Sequence, residues 1–192
     1  MTSTPDPLSV QQRQAVIDDF VATVFDGVTD PDGMVVAGWM RELPTDLPDD
    51  PADARSVARA VAWQELADLV AGTAFRRKVR TMVLSDPRLE FGLNIRPLVL
   101  EHAGGAVDRG VAAGSPEARA IVHRIVPADL PAEERAAFVR WLELVADPRV
   151  ERYWQLLAVL HGTDPGPAAV PAYAWLLDAL RAVSPAGRGS AG

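Results

Sequence analysis

The sequence predicts an all-α protein: one compact domain of about seven to nine helices with a central aromatic-lined pocket. Three observations predict it. Asp-Pro or Ser-Pro introduces five segments, at Asp30, Asp50, Asp86, Ser115 and Asp147. Such a side chain accepts hydrogen bonds from the first free N–H groups of a helix, and proline suits the next position, where no N–H is needed. After most of these starts, apolar residues recur at three- and four-residue steps. Sustained apolar/polar alternation and Asn-Gly hairpin signals are both missing.

The elements follow in order. Residues 1–8 are small, polar and twice interrupted by proline, a loose tail. Ser9-Val-Gln-Gln12 is a capping-box pattern opening a helix to about Gly27, with Val10, Ile17, Phe20, Val21, Val24 and Phe25 as its apolar stripe. Asp30-Pro31 opens a second segment around Met34, Val35, Val36, Trp39 and Met40, whose Val-Val pair suits a strand but whose short connections favour a helix. Two prolines and an acidic pair make Leu43 to Asp50 a loop. Asp50-Pro51, with Asp53, starts a third helix to about Gly72 that presents Val57, Val61, Leu66, Leu69 and Val70, with Trp63 among them. A fourth, Thr73 to Ser85, turns Phe75, Val79, Met82 and Val83 inward and gathers Arg76, Arg77, Lys78 and Arg80 into a basic, solvated face.

Asp86-Pro87 marks a short turn, and Arg96-Pro97 enters a fifth helix running to Gly110. Its Gly104-Gly105 pair costs about 1 kcal/mol per glycine relative to alanine, best tolerated where a backbone or ligand comes close. Helices from Ser115 to Val126 and from Pro131 to Ala146 follow, the latter with Phe138, Trp141, Leu142 and Val145. The last helix, Pro171 to Val183, carries Tyr173, Trp175, Leu176, Leu177 and Leu180. The helical domain thus spans 9–183, and 184–192 is a disordered tail by composition.

The stretch Asp147 to Gly162 organises the rest. Asp147 and Pro148 suit its start, and Gly162 suits the left-handed residue that ends a helix. Val150, Tyr153, Trp154, Leu157, Leu160 and His161 share one face, with Arg149, Glu151, Arg152 and Gln155 on the other side or its edges. Tyr and Trp bring large apolar area together with polar tips that need partners, which suits a core or a pocket wall. The short proline-bearing loop after it, with Pro165, Pro167 and Pro171, sets this helix antiparallel to the last one across a cavity.

Composition closes off several classes of function. The chain has 192 residues, 48% hydrophobic and 23% charged, as in ordinary globular proteins. A net charge of -7 repels phosphate backbones, so no nucleic-acid partner is expected. With no cysteine, disulfides, thiol catalysis and cysteine-held metals are excluded. No apolar run approaches the ~20 residues of a membrane span, and the N-terminus lacks signal-peptide order, so the chain reads as cytoplasmic with no membrane partner. Three histidines at unrelated spacings do not make a metal site, and no phosphate loop or nucleophile elbow occurs; no cofactor is expected.

Three blocks carry a resemblance. They are Leu47-Pro-Asp-Asp-Pro51 leading to Trp63-Gln-Glu-Leu-Ala-Asp-Leu69 and Phe75-Arg-Arg-Lys-Val-Arg80; Ser115-Pro-Glu-Ala-Arg119; and Asp147-Pro-Arg-Val-Glu-Arg-Tyr-Trp154 through Gly162. Together, over about Ser9 to Ala182, they resemble the C-terminal effector-binding half of MerR-type transcription regulators, including the all-helical, TipAS-like domain that binds antibiotics. The resemblance implies a small-molecule site without the family's winged helix-turn-helix and dimerising coiled coil. Where family members often read Asn-Gly-Trp after the Tyr-Trp helix, this chain has His161-Gly162-Thr163.

The candidate ligand-binding residues are Trp39, Trp63, Glu151, Tyr153, Trp154, Leu157, His161, Tyr173 and Trp175, weighed against simple core filling, which any single tryptophan can serve. His161 stands where helix-end carbonyls favour its protonated form. Glu101 and His102, adjacent on the fifth helix, point about 100° apart and form no tight dyad alone. His123, among Ile121, Val122 and Ile125, reads as a buried, satisfied imidazole. Two functions share these residues. One is a stand-alone binder of a hydrophobic, antibiotic- or polyketide-like metabolite, acting as a monomer or weak homodimer. The other is a cofactor-independent cyclase or isomerase in which Glu101, His102 or His161 acts as acid, base or donor. A third, an interaction module for another regulator subunit, has less behind it. Whichever holds, mobility-shift experiments with this chain alone are expected to show no sequence-dependent band; a salt-sensitive, sequence-dependent shift would overturn that.

Overall fold

A computed structural model describes residues 9–44, 53–85 and 95–183, without the side chains of Val10, Asp32 and Val183. The protein is all-helical, with no strand among the described residues. Its helices are α1 (Val10–Val24), α2 (Pro31–Arg41), α3 (Ala54–Ala71), α4 (Thr73–Ser85), α5 (Gly105–Asp108), α6 (Pro116–Ile125), α7 (Ala132–Val145), α8 (Pro148–His161) and α9 (Val170–Val183). A π-helix, Val99–Gly104, runs directly into α5. The expected tails, the remainder of the Leu43 to Asp50 loop beyond residue 44, the Asp50-Pro51 start and the Asp86-Pro87 turn lie outside the described residues. No described helix is long and apolar enough to cross a membrane.

Short-range chemistry sets the helix ends. Ser9 and Gln12 close a capping box, Ser9 N–H donating to Gln12 Oε1 at 2.8 Å and Gln12 N–H to Ser9 Oγ at 3.3 Å. Asp53 caps α3, accepting from Arg55 and Ser56 N–H at 2.8 and 2.9 Å. The Ser56 backbone bond above all holds the Asp53 carboxyl below the usual aspartate range. Ser115 caps α6 through Ala118 N–H at 3.1 Å, with Pro116 in the first turn. Gly162, at φ 70°, ends α8: its N–H reaches Val159 O at 3.1 Å and Thr163 N–H reaches Ala158 O at 2.9 Å, the paired bonds of a Schellman motif. Gly110, at φ 67°, ends α5 in the same way, through Val107 O and Ala106 O.

The span 9–183, read above as one helical domain, carries two compact units: Met1–Leu84 with Arg149–Gly166, and Ser85–Pro148 with Pro167–Gly192. In the first, α1 to α4 and α8 bury Phe20, Val24, Leu66, Val70, Leu156 and Leu160 almost completely. Phe20 (α1), Phe75 (α4) and Tyr153 (α8) meet at this core, with ring centroids 5.8–5.9 Å apart. The basic cluster of α4 is more than a solvated face. Arg76 Nε donates to Val70 O at 2.5 Å, at the end of α3, and Arg76 Nη1 pairs with Asp19 at 2.6 Å. Arg80 donates to Thr23 O at 3.0 Å and Asp26 O at 3.1 Å, satisfying carbonyls at the end of α1. Arg152 of α8 grips Glu65 of α3 through two bonds of 2.5 and 2.6 Å, which hold the Glu65 carboxyl below its usual range.

Val57 and Val61, expected on the inner face of α3, are instead 47% and 60% exposed. They stand on the row that continues to Glu65, about 100° round from the buried row of Ala62, Leu66 and Val70. Both rows have a spacing of four, and only the second faces the core.

In the second unit α9 is the hub, packing against the π-helix, α5, α6 and α7. It buries Ala172, Tyr173, Leu176, Leu177, Ala179 and Leu180. Two glycines neighbour its alanines: a methyl added at Gly104 would lie 4.0 Å from Ala172 Cβ, and one at Gly114 4.0 Å from Ala182 Cβ. Those are ordinary contacts, so the Gly104-Gly105 pair is not required by a close neighbour; at Gly105 the nearest atom is the movable Arg109 guanidinium at 3.2 Å. Arg181 ties α9 to Glu143 of α7 at 2.5 Å.

Two glycines of opposite backbone character give a paired prediction. Gly162 has open space around it but a left-handed φ of 70°, so Gly162→Ala is expected to destabilise by about 1 kcal/mol. Gly38, inside α2 with nothing within 4 Å of an added Cβ, should gain about 0.5–1 kcal/mol on change to alanine. Urea denaturation midpoints measure both, and shifts of the same sign would contradict the assignment of backbone strain to Gly162.

Candidate functional site

The aromatic residues of the first unit form a ladder from its surface to its core. Along α2, Gly33, Ala37 and Met40 point inward, so the helical period turns Met34, Val35 and Trp39 out, at 52%, 70% and 46% exposure. The Trp39 ring stacks on Trp154 of α8, centroids 5.4 Å apart and planes 27° from parallel. Trp154, half-buried, meets Tyr153 edge-on at 5.5 Å and 75°. Tyr153 then packs on Phe20 and Phe75. Neighbouring residues of a helix point about 100° apart, so Tyr153 enters the core while Trp154 stays at its margin.

Tyr153 is 3% exposed, and its hydroxyl oxygen is buried with no hydrogen-bond partner among the described residues. Burial pushes its pKa far above the ordinary tyrosine range, because the phenolate would have to be desolvated. The group is therefore a neutral O–H donor at any physiological pH. A buried donor left unpaired costs about 1–3 kcal/mol.

The other expected ligand-binding residues of this unit divide between core and rim. Trp63 is buried, and its Nε1 already donates to Pro44 O at 2.9 Å. Leu157 is buried in the same core. Glu151, half-buried, lies one turn before Trp154 on α8. His161 is exposed at the end of that helix, 100° round from buried Leu160.

The remaining candidates belong to the second unit, as does α9, the helix expected to face α8. Tyr173 is buried, and Trp175 is half-buried with its Nε1 donating to Val111 O at 2.6 Å. Exposed Glu101 and half-buried His102 lie on the π-helix, an element that recurs at functional sites. His102 Nδ1 and Glu101 Oε1 are 3.9 Å apart, beyond hydrogen-bond range, as their adjacent positions predict. His123, expected to be buried, is exposed: Ile121, Val122 and Ile125 turn inward while positions 123 and 124 face out. Among the described residues no group of three potential metal ligands converges.

Phe20, Phe75, Met34 and Val35 join the candidates only through the structure. The two phenylalanines are legible as core stripes of α1 and α4, though not as partners of Tyr153, because ring contacts join distant segments. Met34 and Val35 carry a usable signal: with Gly38 and Trp39 they form an uncharged i, i+1, i+4, i+5 face opposite the small inward residues.

No family model, curated protein or solved structure matches this chain.

Stacked indoles couple their excited states, so the Trp39–Trp154 pair should give an exciton couplet in the far-ultraviolet circular dichroism spectrum, superposed on the helical minima. Trp39→Phe is expected to remove the couplet and leave the helical signal. An unchanged difference spectrum would mean that the two rings are not stacked in solution.

Proposed function

We propose that this protein binds a hydrophobic small molecule, of antibiotic- or polyketide-like character, on the aromatic surface formed by Trp39 and Trp154, in the manner of the MerR-type effector domains its sequence resembles. The exposure of Trp39 carries this reading. An indole left 46% exposed, stacked on a second indole and flanked by exposed Met34 and Val35, is a concentrated apolar area on a chain of high net charge. A flat apolar ligand gains on such a surface both by covering indole and by stacking on it. Glu151, one turn from Trp154 on the same helix, is the charged group nearest to it in sequence on that side.

Catalysis by a cofactor-independent cyclase or isomerase is the second reading. Its supporting observation is the π-helix, which carries Glu101 and His102 side by side. Those two residues belong to the other unit from His161 and the tryptophan pair, so the acid–base set and the aromatic surface support different readings.

Nile red, a neutral flat dye whose emission rises on leaving water, tests the first reading. Saturable binding by the wild type is expected, and Trp39→Ala should weaken it by about ten-fold while the circular dichroism spectrum stays helical. Absence of saturable binding, or equal affinity in the folded variant, would sink the proposal.

A further inference from the structure

Resting on that reading, we infer that the Tyr153 hydroxyl is the polar anchor of the site and selects flat apolar ligands that carry a carbonyl-type acceptor. It is the buried polar atom of the aromatic ladder that no described residue satisfies. Trp63 and Trp175, by contrast, each donate to a backbone carbonyl, at 2.9 and 2.6 Å. The Tyr153 ring packs on Phe20, Phe75 and Trp154, yet its buried oxygen has no partner among the described residues.

A phenylalanine would fill the same ring space without an unsatisfied group, so the hydroxyl lowers stability unless something outside the described chain accepts from it. The acceptor has to be neutral or only partly charged, because a full anion would be desolvated beside the aromatic rings packed on Tyr153. A ketone, ester or amide oxygen on an aromatic body meets both conditions. The same molecule covers Trp39 and Trp154, and Trp154 is the ring that meets Tyr153. The donor is always available, since Tyr153 remains protonated throughout the physiological range.

Fluorene and 9-fluorenone test this directly, being flat tricycles of nearly equal shape that differ by one carbonyl oxygen. Equilibrium dialysis measures both against wild type and Tyr153→Phe, and the readout is the ratio of the two affinities, which cancels their different solubilities. The fluorenone-to-fluorene ratio is expected to fall about ten-fold from wild type to Tyr153→Phe, with fluorene affinity unchanged and the variant at least as stable as wild type. An unchanged ratio overturns the inference while leaving the binding surface standing. A clear loss of stability in Tyr153→Phe, together with an unchanged ratio, would show that the hydroxyl is satisfied internally, by a buried water. Trp39→Ala is expected to weaken both tricycles about equally, because both lie on that ring; a loss confined to fluorenone would overturn the placement of the acceptor at Tyr153. If neither tricycle binds the wild type, the inference falls together with the proposed function.

Discussion

The contact of Phe20, Phe75 and Tyr153 is the constraint on which the first unit depends. The three rings come from α1, α4 and α8, and α8 lies more than sixty residues beyond α4 in sequence. Closing so long a loop costs chain entropy before any contact forms. The return of α8 is offset by what it buries: Tyr153, Leu156, Leu157 and Leu160 are each no more than 3% exposed. Truncating one large buried side chain of this kind typically costs ~3–5 kcal/mol, a large share of the ~5–15 kcal/mol that keeps a domain folded. The Arg152–Glu65 pair is secondary. Both side chains are more than 40% exposed, where such pairs contribute about 1 kcal/mol or less, so its role is to fix the rotation of α8 against α3.

Charge serves a similar geometric purpose on α4. Arg76 and Arg80 sit one turn apart, and between them reach carbonyls at the ends of α3 and α1 and the Asp19 and Asp26 carboxylates. Helix ends present carbonyls that need donors, and a guanidinium offers several in a fixed plane. The second unit solves its packing differently. There α9 buries Ala172 and Ala179 together with Leu176 and Leu180, and the aromatic contribution of Phe138 and Trp141 comes from α7.

Most of this fold is legible in the sequence because it is written in local chemistry. The capping box at Ser9, the caps at Asp53 and Ser115, and the glycine end at Gly162 depend on residues within a few positions of one another. Sequence reasoning fails where the answer needs the tertiary partner. Val57 and Val61 have helical spacing, yet spacing alone does not say which of two apolar rows faces the core. The sequence neighbours of His123 are poor guides to its burial, because they lie on other faces of the same helix. For the site, Trp39, Tyr153 and Trp154 each stand out in the sequence, but the 5.4 Å stack joining α2 to α8 spans more than a hundred residues and leaves no mark on either segment. The division of the candidates between two units is equally invisible, since chain crossing back from one unit to the other looks like any other loop.

On the proposed reading, adjacent residues on one helix would tie binding to folding. Tyr153 and Trp154 differ in direction by about 100°, so one belongs to the core and the other to its margin, and neither can move without the other's backbone. A ligand that covers Trp39 and Trp154 thereby bears on the helix whose return completes the core. By mass action, any molecule binding only the folded state stabilises it by RT ln(1 + [L]/Kd), about 2.7 kcal/mol at a hundred-fold excess over Kd. That is comparable with the unsatisfied hydroxyl's own penalty of about 1–3 kcal/mol, so on the proposed reading ligand binding and a well-folded first unit would reinforce each other. On the proposed reading, a ligand's acceptor would remove the small local instability of the unpaired Tyr153 oxygen.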